Sequence, residues 1–329
     1  MFIPQDFPLA LIMMILSAIC WGSWANTFKG TKDYRFELFY WDYALGIFAI
    51  SVILAFTLGS LDNSPASFLH NVMAADRGNI VSAMVGGAIF NVANLLLVAG
   101  IDMAGLAVAF PVAIGIALVV GVVLSYALQP RGDALILAAG VIMAVLAVIM
   151  DGKAYAGLAS AGRTVSRKSI VVCVISGILM GLFAPFVTHA LTSTAPLGPY
   201  SVAVFFTLGS LLCCLIPNVY FMKRPLVGEP VEFSAFFKAR MKDHLLGFLG
   251  GCIWGIGTVF NFVAASCTGV AISYAIGQSA PMVAAIWGVF VWKEFAGASR
   301  KSYVYLGLMF LFYVLAIVAV ANAYTSTKV

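Results

Sequence analysis

The chain has 329 residues, of which 63% are hydrophobic and 9% are charged, and its mean hydropathy is +1.05. Soluble domains carry about 25% charged residues, so this composition excludes an ordinary soluble protein and indicates an integral membrane protein. The net charge of +5 does not indicate nucleic-acid binding, because the basic residues lie in short connections beside apolar segments.

Ten segments are long and apolar enough to cross a bilayer, which takes about 20 consecutive apolar residues. The predicted fold is therefore an all-α integral membrane protein. The predicted spans are approximately 8–28, 39–59, 79–101, 104–129, 133–150, 169–191, 199–221, 244–266, 270–292 and 303–323. A separate soluble catalytic domain is not expected, because even the longest connections fall below the roughly 40 residues that a small domain needs.

The basic residues predict the orientation of the chain. Three of the 18 Lys and Arg residues, Arg77, Arg131 and Lys328, lie in even-numbered connections or at the C-terminus, and the other fifteen lie in odd-numbered connections. The positive-inside rule puts the odd-numbered connections in the cytoplasm and both termini outside. Short loops without a glycosylation sequon favour a bacterial inner membrane. The six cysteines lack CxxC spacing, so we expect no disulfide framework, metal site or cofactor.

A weak internal repeat relates the two halves of the chain. At an offset of 164 residues, "GGAIFNVANLLLVAGIDMAGLAVAF" from Gly86 aligns with "GGCIWGIGTVFNFVAASCTGVAISY" from Gly250. Near an offset of 159, "SAICWGSWAN" from Ser17 aligns with "SGILMGLFAP" from Ser176. The same order and nearly the same offset favour duplication over chance similarity among small-residue helices.

The repeat predicts a five-plus-five organisation. Residues 1–150 hold the first five spans, 151–168 form a cytoplasmic connection, and 169–329 hold the second five. Because five is odd, the second copy enters the membrane from the opposite side. The expected architecture is two inverted five-helix repeats, a device of secondary transporters.

Two carboxamides mark the predicted third span. Gly87, Asn91, Asn94 and Val98 fall on one helical face. An unpaired amide in hydrocarbon costs several kcal/mol, so this face must meet other helices or a cavity. Because carboxamides offer both a donor and an acceptor, we expect Asn91 and Asn94 to bind a neutral polar solute. Helix packing through hydrogen bonds is the alternative.

Further solute-binding candidates come from the first, eighth and ninth spans. Aromatic faces beside amides suit sugar rings and flat heterocycles, although interfacial anchoring also explains tryptophans. On the ninth span, Gln278 and Pro281 lie at mid-depth; we expect a helix break there, and comparable breaks at Pro111 and Pro185, because proline removes a backbone donor. The alternative is a purely structural kink, with Gln278 hydrogen-bonded to a neighbouring helix. The candidates are Trp24, Asn26, Trp254, Thr258, Asn261, Tyr274 and Gln278.

Ionisable residues inside a membrane are functional candidates. Asp42 begins the second span and His189 lies near the outer end of the sixth, and both are candidates for proton coupling. Both could instead be ordinary helix-end residues. The stretch "GLASAGRT", residues 157–164, differs from a P-loop at Arg163, where lysine is required, and no strand precedes it, so we do not expect ATP hydrolysis.

Several of these stretches resemble the ureide permease family, namely "SAICWGSW", "DYALGIFAISVILAFTLG", "GGAIFNVANLLLVAGIDMAGLAVA" and "GQSAPMVAAIWGVFVWKEF". The stretch "VAIGIALVVGVVL" is similar to one in bacterial L-rhamnose–proton symporters. Both groups belong to the drug/metabolite transporter superfamily. The resemblance covers nearly all ten spans, but its specific matches are short, chiefly Asn94, Gln278 with Pro281, and Trp287 with Gly288 and Glu294.

The resemblance implies an inverted repeat, a substrate cavity between the first four spans of each half, and peripheral fifth and tenth spans. It implies substrates such as allantoin-like ureides, nucleobases or simple sugars. We therefore expect a proton-coupled importer of a small polar neutral solute that works by alternating access, with H⁺ and the lipid bilayer as partners, no nucleic acid, and homodimer formation as a further expectation. An exporter of drugs or amino acids is the alternative, and a membrane-embedded enzyme is a remote one.

Overall fold

The computed structural model describes residues 1–61, 67–158 and 166–326. Within these ranges, ten helices are long and apolar enough to cross a membrane, which confirms the all-α integral membrane prediction. We call them spans 1 to 10, and they cover Phe7–Lys29, Phe36–Ser60, Arg77–Ala104, Pro111–Leu128, Ala134–Ala156, Arg167–Thr192, Pro199–Lys223, Met241–Thr268, Val270–Val291 and Arg300–Thr325. Span 5 continues past its predicted end, and residues 159–164 of the P-loop-like stretch lie outside the described residues.

Five spans are single continuous helices, and the other five are interrupted. The continuous helices are Arg77–Ala104, Ala134–Ala156, Arg167–Thr192, Met241–Thr268 and Arg300–Thr325. Span 1 contains the helices Phe7–Ser23 and Ala25–Lys29, and span 2 contains Phe36–Phe56 and Leu58–Ser60. Span 4 contains Phe110–Ile114 and Gly115–Leu128, and span 7 contains Pro199–Cys213 and Pro217–Lys223. Span 9 contains Val270–Gly277, Ala280–Ile286 and Trp287–Val291. Short helices Phe68–Ala74 and Leu106–Ala109 precede spans 3 and 4, and Ser234–Lys238 precedes span 8.

Two of the three predicted proline breaks are present. Span 9 is interrupted at Gln278 and Ser279, and its next helix begins at Ala280 with Pro281 as the second residue; a π-helical segment contains Pro111. The break expected at Pro185 is wrong, because the helix of span 6 continues through this residue. A helix can accommodate an internal proline when neighbouring helices hold it and only one backbone donor is lost.

Spans 3 and 8 end at equivalent glycines. Gly105 has a φ of 77° and Gly269 a φ of 89°, and the next helix follows almost directly in each case. A side chain is strongly disfavoured at such positive φ angles, whereas glycine adopts them readily. These two turns let spans 3 and 4, and likewise spans 8 and 9, reverse direction within one or two residues.

Glycines also bring four spans into close contact. A Cβ atom on Gly87 of span 3 would lie 1.7 Å from the carbonyl oxygen of Phe206 in span 7, and one on Gly251 of span 8 would lie 2.1 Å from that of Tyr43 in span 2. Residues 87 and 251 are equivalent at the offset of 164, so the two crossings correspond.

The other contacts between spans also correspond between the two halves of the chain. Span 3 packs against spans 6 and 7, and span 8 packs against spans 1 and 2; spans 5 and 10 pack against each other. This pattern is consistent with two five-helix repeats. The inverted topology and the division at 1–150, 151–168 and 169–329 stay predictions.

Candidate functional site

A cavity of about 920 Å³ opens at one end of the bundle, and we call it the vestibule. It lies between the linker that joins spans 1 and 2, the last turns of span 3, and the segment that follows span 7. Its lining includes Phe28, Lys29, Thr31, Asp33, Tyr34, Arg35, Phe36, Glu37, Leu95, Val98, Ala99, Asp102, Phe221, Leu226, Val227 and Gly228. Under the predicted orientation, this is the cytoplasmic end.

At the opposite end, hydrogen bonds tie span 3 to the linker between spans 6 and 7. Nδ2 of Asn79 donates to the carbonyl oxygens of Thr194 and Ala195, at 3.0 Å each. The hydroxyl of Ser193 donates to Oδ1 of the same Asn79. The described residues therefore form a cavity at one end of span 3 and interhelical hydrogen bonds at the other.

Aromatic rings from spans 1, 2, 3 and 8 meet in the middle of the bundle. We call this group the aromatic cluster; it consists of Trp21, Trp24, Tyr40, Tyr43, Phe90 and Trp254. The ring centroids of Trp24 and Tyr43 are 4.6 Å apart, and those of Phe90 and Trp254 are 4.4 Å apart. Tyr40 and Tyr43 reach the cluster together because they lie three residues apart on one helix face.

The polar centre beside this cluster is the contact between Asn94 and Tyr40. Nδ2 of Asn94 donates to the hydroxyl oxygen of Tyr40 at 3.4 Å, and Asn94 is 5% exposed. The hydroxyl of Tyr43 is buried and has no hydrogen-bond partner among the described residues. A buried, unpaired hydroxyl costs about 1–3 kcal/mol, which a polar ligand could offset.

The vestibule ends directly below this polar centre. The ring of Phe36, which lines the vestibule, contacts the ring of Tyr40 at a centroid distance of 5.4 Å. Val98, another lining residue, lies one helical turn beyond Asn94 on the same face of span 3. Phe28 packs against Phe36 at 5.5 Å. Phe36 therefore contacts Tyr40 from the vestibule side, and Phe28 packs against Phe36.

Asn91 lies deeper in span 3 and is fully buried. Its Oδ1 accepts a hydrogen bond from the thiol of Cys214 in span 7 at 3.3 Å. Its Nδ2 has no partner within the described ranges. Helix packing accounts for the oxygen of this side chain and leaves the nitrogen as an unused donor.

Among the candidates on span 8, Trp254 belongs to the aromatic cluster and Thr258 supports it. The hydroxyl of Thr258 accepts from Nε1 of Trp21 at 3.1 Å, which fixes that indole ring. The third candidate, Asn261, instead donates from Nδ2 to the carbonyl oxygen of Ser273 at 2.9 Å and so ties span 8 to span 9.

Two other candidates, Tyr274 and Asn26, form contacts outside the aromatic cluster. The hydroxyl of Tyr274 donates to the carbonyl oxygen of Met180 at 3.1 Å, and Oδ1 of Asn26 accepts from Nε1 of Trp292. Gln278 sits at the break of span 9 and is 8% exposed. The sequence-based candidates therefore divide between the cluster and interhelical contacts.

Asp42 points away from the cluster and pairs with residues that the sequence analysis did not single out. Its carboxylate accepts from the hydroxyl of Tyr34 at 2.7 Å and contacts Nδ1 of His244, in span 8, at 2.9 Å. Burial and the hydrogen bond to Asp42 raise the pKa of Tyr34, so this hydroxyl remains a donor. The other coupling candidate, His189, is exposed in the last turn of span 6.

Sequence reasoning missed Tyr40, Tyr43 and His244. The two tyrosines flank Asp42 in "FYWDYALG", and their spacing of three residues in an apolar span could have identified them. His244 is 202 residues from its partner Asp42. A contact between two residues so far apart in the chain cannot be predicted from a local sequence pattern.

Comparison with known proteins identifies a family whose members resemble this chain over most of its length. The sequence profile of the family described as Ureide permease matches residues 39–168 and 163–323. The chain is similar to Ureide permease 1 of Arabidopsis thaliana, with 25% identity over 374 aligned residues that cover 94% of this chain and 95% of the relative. Ureide permease 2 of the same plant is 23% identical, with 94% and 95% covered.

Two further similarities are more limited, the first in its extent and the second in its sequence identity. The Probable glucose uptake protein GlcU of Staphylococcus aureus (strain MRSA252) is 30% identical over 74 residues, which cover 22% of this chain and 26% of that protein. A solved crystal structure, described only as that of a protein, has a TM-score of 0.63 and 16% identity, and covers 94% of this chain and 96% of that chain. At this identity the likeness is one of fold alone.

Proposed function

Because the chain belongs to the ureide permease family, whose members are transporters, we propose that it carries a small, polar, uncharged solute across the membrane, with ureides as the first candidate. The observation that carries the proposal is the Tyr40–Asn94 pair at the inner end of the vestibule. The groups around it are phenols, indoles and a carboxamide. Such groups suit a neutral solute, since a buried charge without an opposite charge is costly.

The chemistry of the polar centre fits a flat solute that bears amide groups. The carboxamide of Asn94 offers an acceptor and two donors, and the buried hydroxyl of Tyr43 is unused. The faces of Trp24 and Trp254 supply apolar contact for a planar ring. We propose Gln278, at the break of span 9, as a second polar contact to the solute.

Access to this centre needs a conformational change. Tyr40 and Tyr43 are 0% exposed, and Phe36, which lines the vestibule, packs against Tyr40 and Phe28. We propose that these phenylalanines part when solute enters or leaves on the cytoplasmic side. In alternating access, the contact of Asn79 with the linker between spans 6 and 7 would then break to open the other side.

The direction and the driving force are further parts of the proposal. We propose import driven by a proton gradient across a bacterial inner membrane, with both termini outside. The Asp42–His244 pair is a candidate proton site, because Asp42 is buried, His244 is partly buried and Tyr34 connects Asp42 to the vestibule. Homodimer formation stays a prediction.

Solute exchange in proteoliposomes tests the proposal. Wild-type protein should exchange labelled solute across the membrane, and Asn94→Leu should abolish exchange while the protein stays folded. Gln278→Leu tests the second contact separately. Asn322→Leu, which removes an exposed carboxamide from span 10, is the matched control. Full exchange by Asn94→Leu would remove the proposed binding site.

A monosaccharide is the second candidate solute. Aromatic faces beside amides also bind sugar rings, and a 74-residue stretch is similar to a protein named for glucose uptake. Exchange measured across ureides, nucleobases and monosaccharides separates the two classes. An imposed gradient that drives extrusion in place of uptake would favour the exporter alternative.

A further inference from the structure

The described part of the chain buries three carboxylates, and one of them lacks a partner. Asp42, Asp151 and Asp243 are 8%, 2% and 2% exposed. Asp42 contacts Tyr34 and His244, and Asp243 accepts two hydrogen bonds from the guanidinium of Arg240, at 2.7 and 2.9 Å. Asp151 differs from both.

Asp151 lies inside an apolar core formed by spans 5 and 10 and the end of span 9. Its helix neighbours Ala147, Val148 and Ala154 belong to one buried cluster with Phe295 and Met309. Oδ1 of Asp151 is fully buried and has no hydrogen-bond partner among the described residues. Ionisation of a carboxyl group buried in this apolar core is costly, and no described residue donates to its Oδ1, so the group is expected to hold a proton.

Within the described ranges, the titratable groups that interact with Asp151 supply no positive charge. Tyr155 on the same helix and Tyr313 on span 10 are close enough to interact with it electrostatically, and Glu294, after span 9, interacts with Tyr155. The hydroxyl of Tyr313 is likewise buried without a partner in the described ranges. Lys153 on the same helix lies over the ring of Tyr305, 5.6 Å from its centroid.

A chain of polar side chains leads from this core to the vestibule. Tyr155 lies one helical turn beyond Asp151, and its hydroxyl donates to Oε2 of Glu294 at 3.2 Å. Oε1 of Glu294 pairs with Lys29. Lys29 lines the vestibule, so the buried carboxyl is separated from the cavity by only three side chains.

We propose that Asp151 is a second proton-binding site of the transport cycle, which exchanges its proton with the vestibule through Tyr155 and Glu294. The inference rests on the proposed proton-driven transport. No hydrogen bond joins Asp151 to Tyr155 in this conformation, so release requires the Asp151 carboxyl to rotate until it donates to the Tyr155 hydroxyl oxygen. The O–H bond at Asp151 then breaks and its proton passes to the oxygen of Tyr155, while the proton of Tyr155 passes to Glu294 and from there to water. The net change is one negative charge on Asp151 and one proton in the vestibule.

Infrared spectroscopy tests the protonation directly and does not depend on transport. The purified protein at neutral pH should show the carbonyl stretch of a protonated buried carboxyl, and Asp151→Asn should lose this band. Asp133→Asn is the matched control, because Asp133 caps the first turn of the same span with its side chain. A band that Asp151→Asn leaves unchanged, or the absence of such a band in wild type, would overturn the proposal.

Transport measurements then test the coupling. A pH difference of one unit can drive roughly tenfold accumulation for each coupled proton. Asp151→Asn should lose pH-driven accumulation but keep solute exchange, which needs no net proton movement, and Asp133→Asn should keep both. Accumulation by Asp151→Asn at the wild-type level would overturn the coupling role. Wild-type protein that neither exchanges nor accumulates any solute would contradict the proposed function itself, a result distinct from loss of accumulation alone.

Discussion

The carboxamide of Asn94 donates to the hydroxyl oxygen of Tyr40 across 3.4 Å, and this contact joins spans 3 and 2 directly above the vestibule. The sequence analysis identified Asn94 as a candidate binding residue but did not identify Tyr40. Both side chains are buried, yet the vestibule lining begins at the next residue of span 3, Leu95.

The hydroxyl of Tyr40 should contribute to solute affinity. We expect Tyr40→Phe to weaken solute binding about fivefold, because one hydrogen bond contributes about 1 kcal/mol. Titration of the purified protein with solute measures the change. Tyr126→Phe is the control, since it removes a hydroxyl that bonds to Gly132 in a loop. Unchanged affinity in Tyr40→Phe would show that this hydroxyl does not take part.

The equivalent glycine contacts should be equally sensitive to a methyl group. Gly87→Ala and Gly251→Ala each force a Cβ atom against a backbone carbonyl, so we expect each to lower the free energy of unfolding by roughly 1–3 kcal/mol. Denaturation in detergent measures this. Gly307→Ala is the control, because nothing lies within 4 Å of its added Cβ. Wild-type stability in either test variant would contradict the described crossings.

Asp42 and His244 should act as one unit. Each single change, Asp42→Asn or His244→Gln, disturbs the same hydrogen-bonded contact between spans 2 and 8. In a double-mutant cycle, the combined variant should therefore lose less stability than the sum of the two, by about 0.5–3 kcal/mol. Strict additivity would mean that the two side chains do not interact in the membrane.

The orientation predicted from the basic residues can be checked by labelling. Lys238 lies in the connection before span 8 and Thr325 at the end of span 10, and both are exposed. In intact cells, an impermeant maleimide should label Thr325→Cys and not Lys238→Cys. The wild-type protein, whose six cysteines lie in or beside the spans, gives the background. The reverse pattern would put the vestibule outside.

The sequence predicted the architecture well because hydrophobic length and proline positions are local properties. The ten spans and the break before Pro281 both follow from such patterns. The break at Pro185 was wrong because the neighbouring helices, which the local pattern does not contain, decide whether proline interrupts a membrane helix.

The candidate site was predicted less completely because it depends on how distant spans pack. A tyrosine in an apolar span can belong to the aromatic cluster, as Tyr43 does, or form a hydrogen bond between helices, as Tyr274 does. The residue type alone does not distinguish these two roles. Asn91 and Asn94 share one face of span 3, but the former meets Cys214 and the latter Tyr40. Only the packing of spans 2 and 7 distinguishes them.

The most direct test of the account is ligand-induced stabilisation of the purified protein across ureides, nucleobases and monosaccharides. A solute at 100 times its dissociation constant should raise the free energy of unfolding by about 2.7 kcal/mol. We expect at least one solute to stabilise wild type and Asn322→Leu to this extent and to leave Asn94→Leu unchanged. Equal stabilisation of Asn94→Leu by that solute would contradict a binding site at the Tyr40–Asn94 pair.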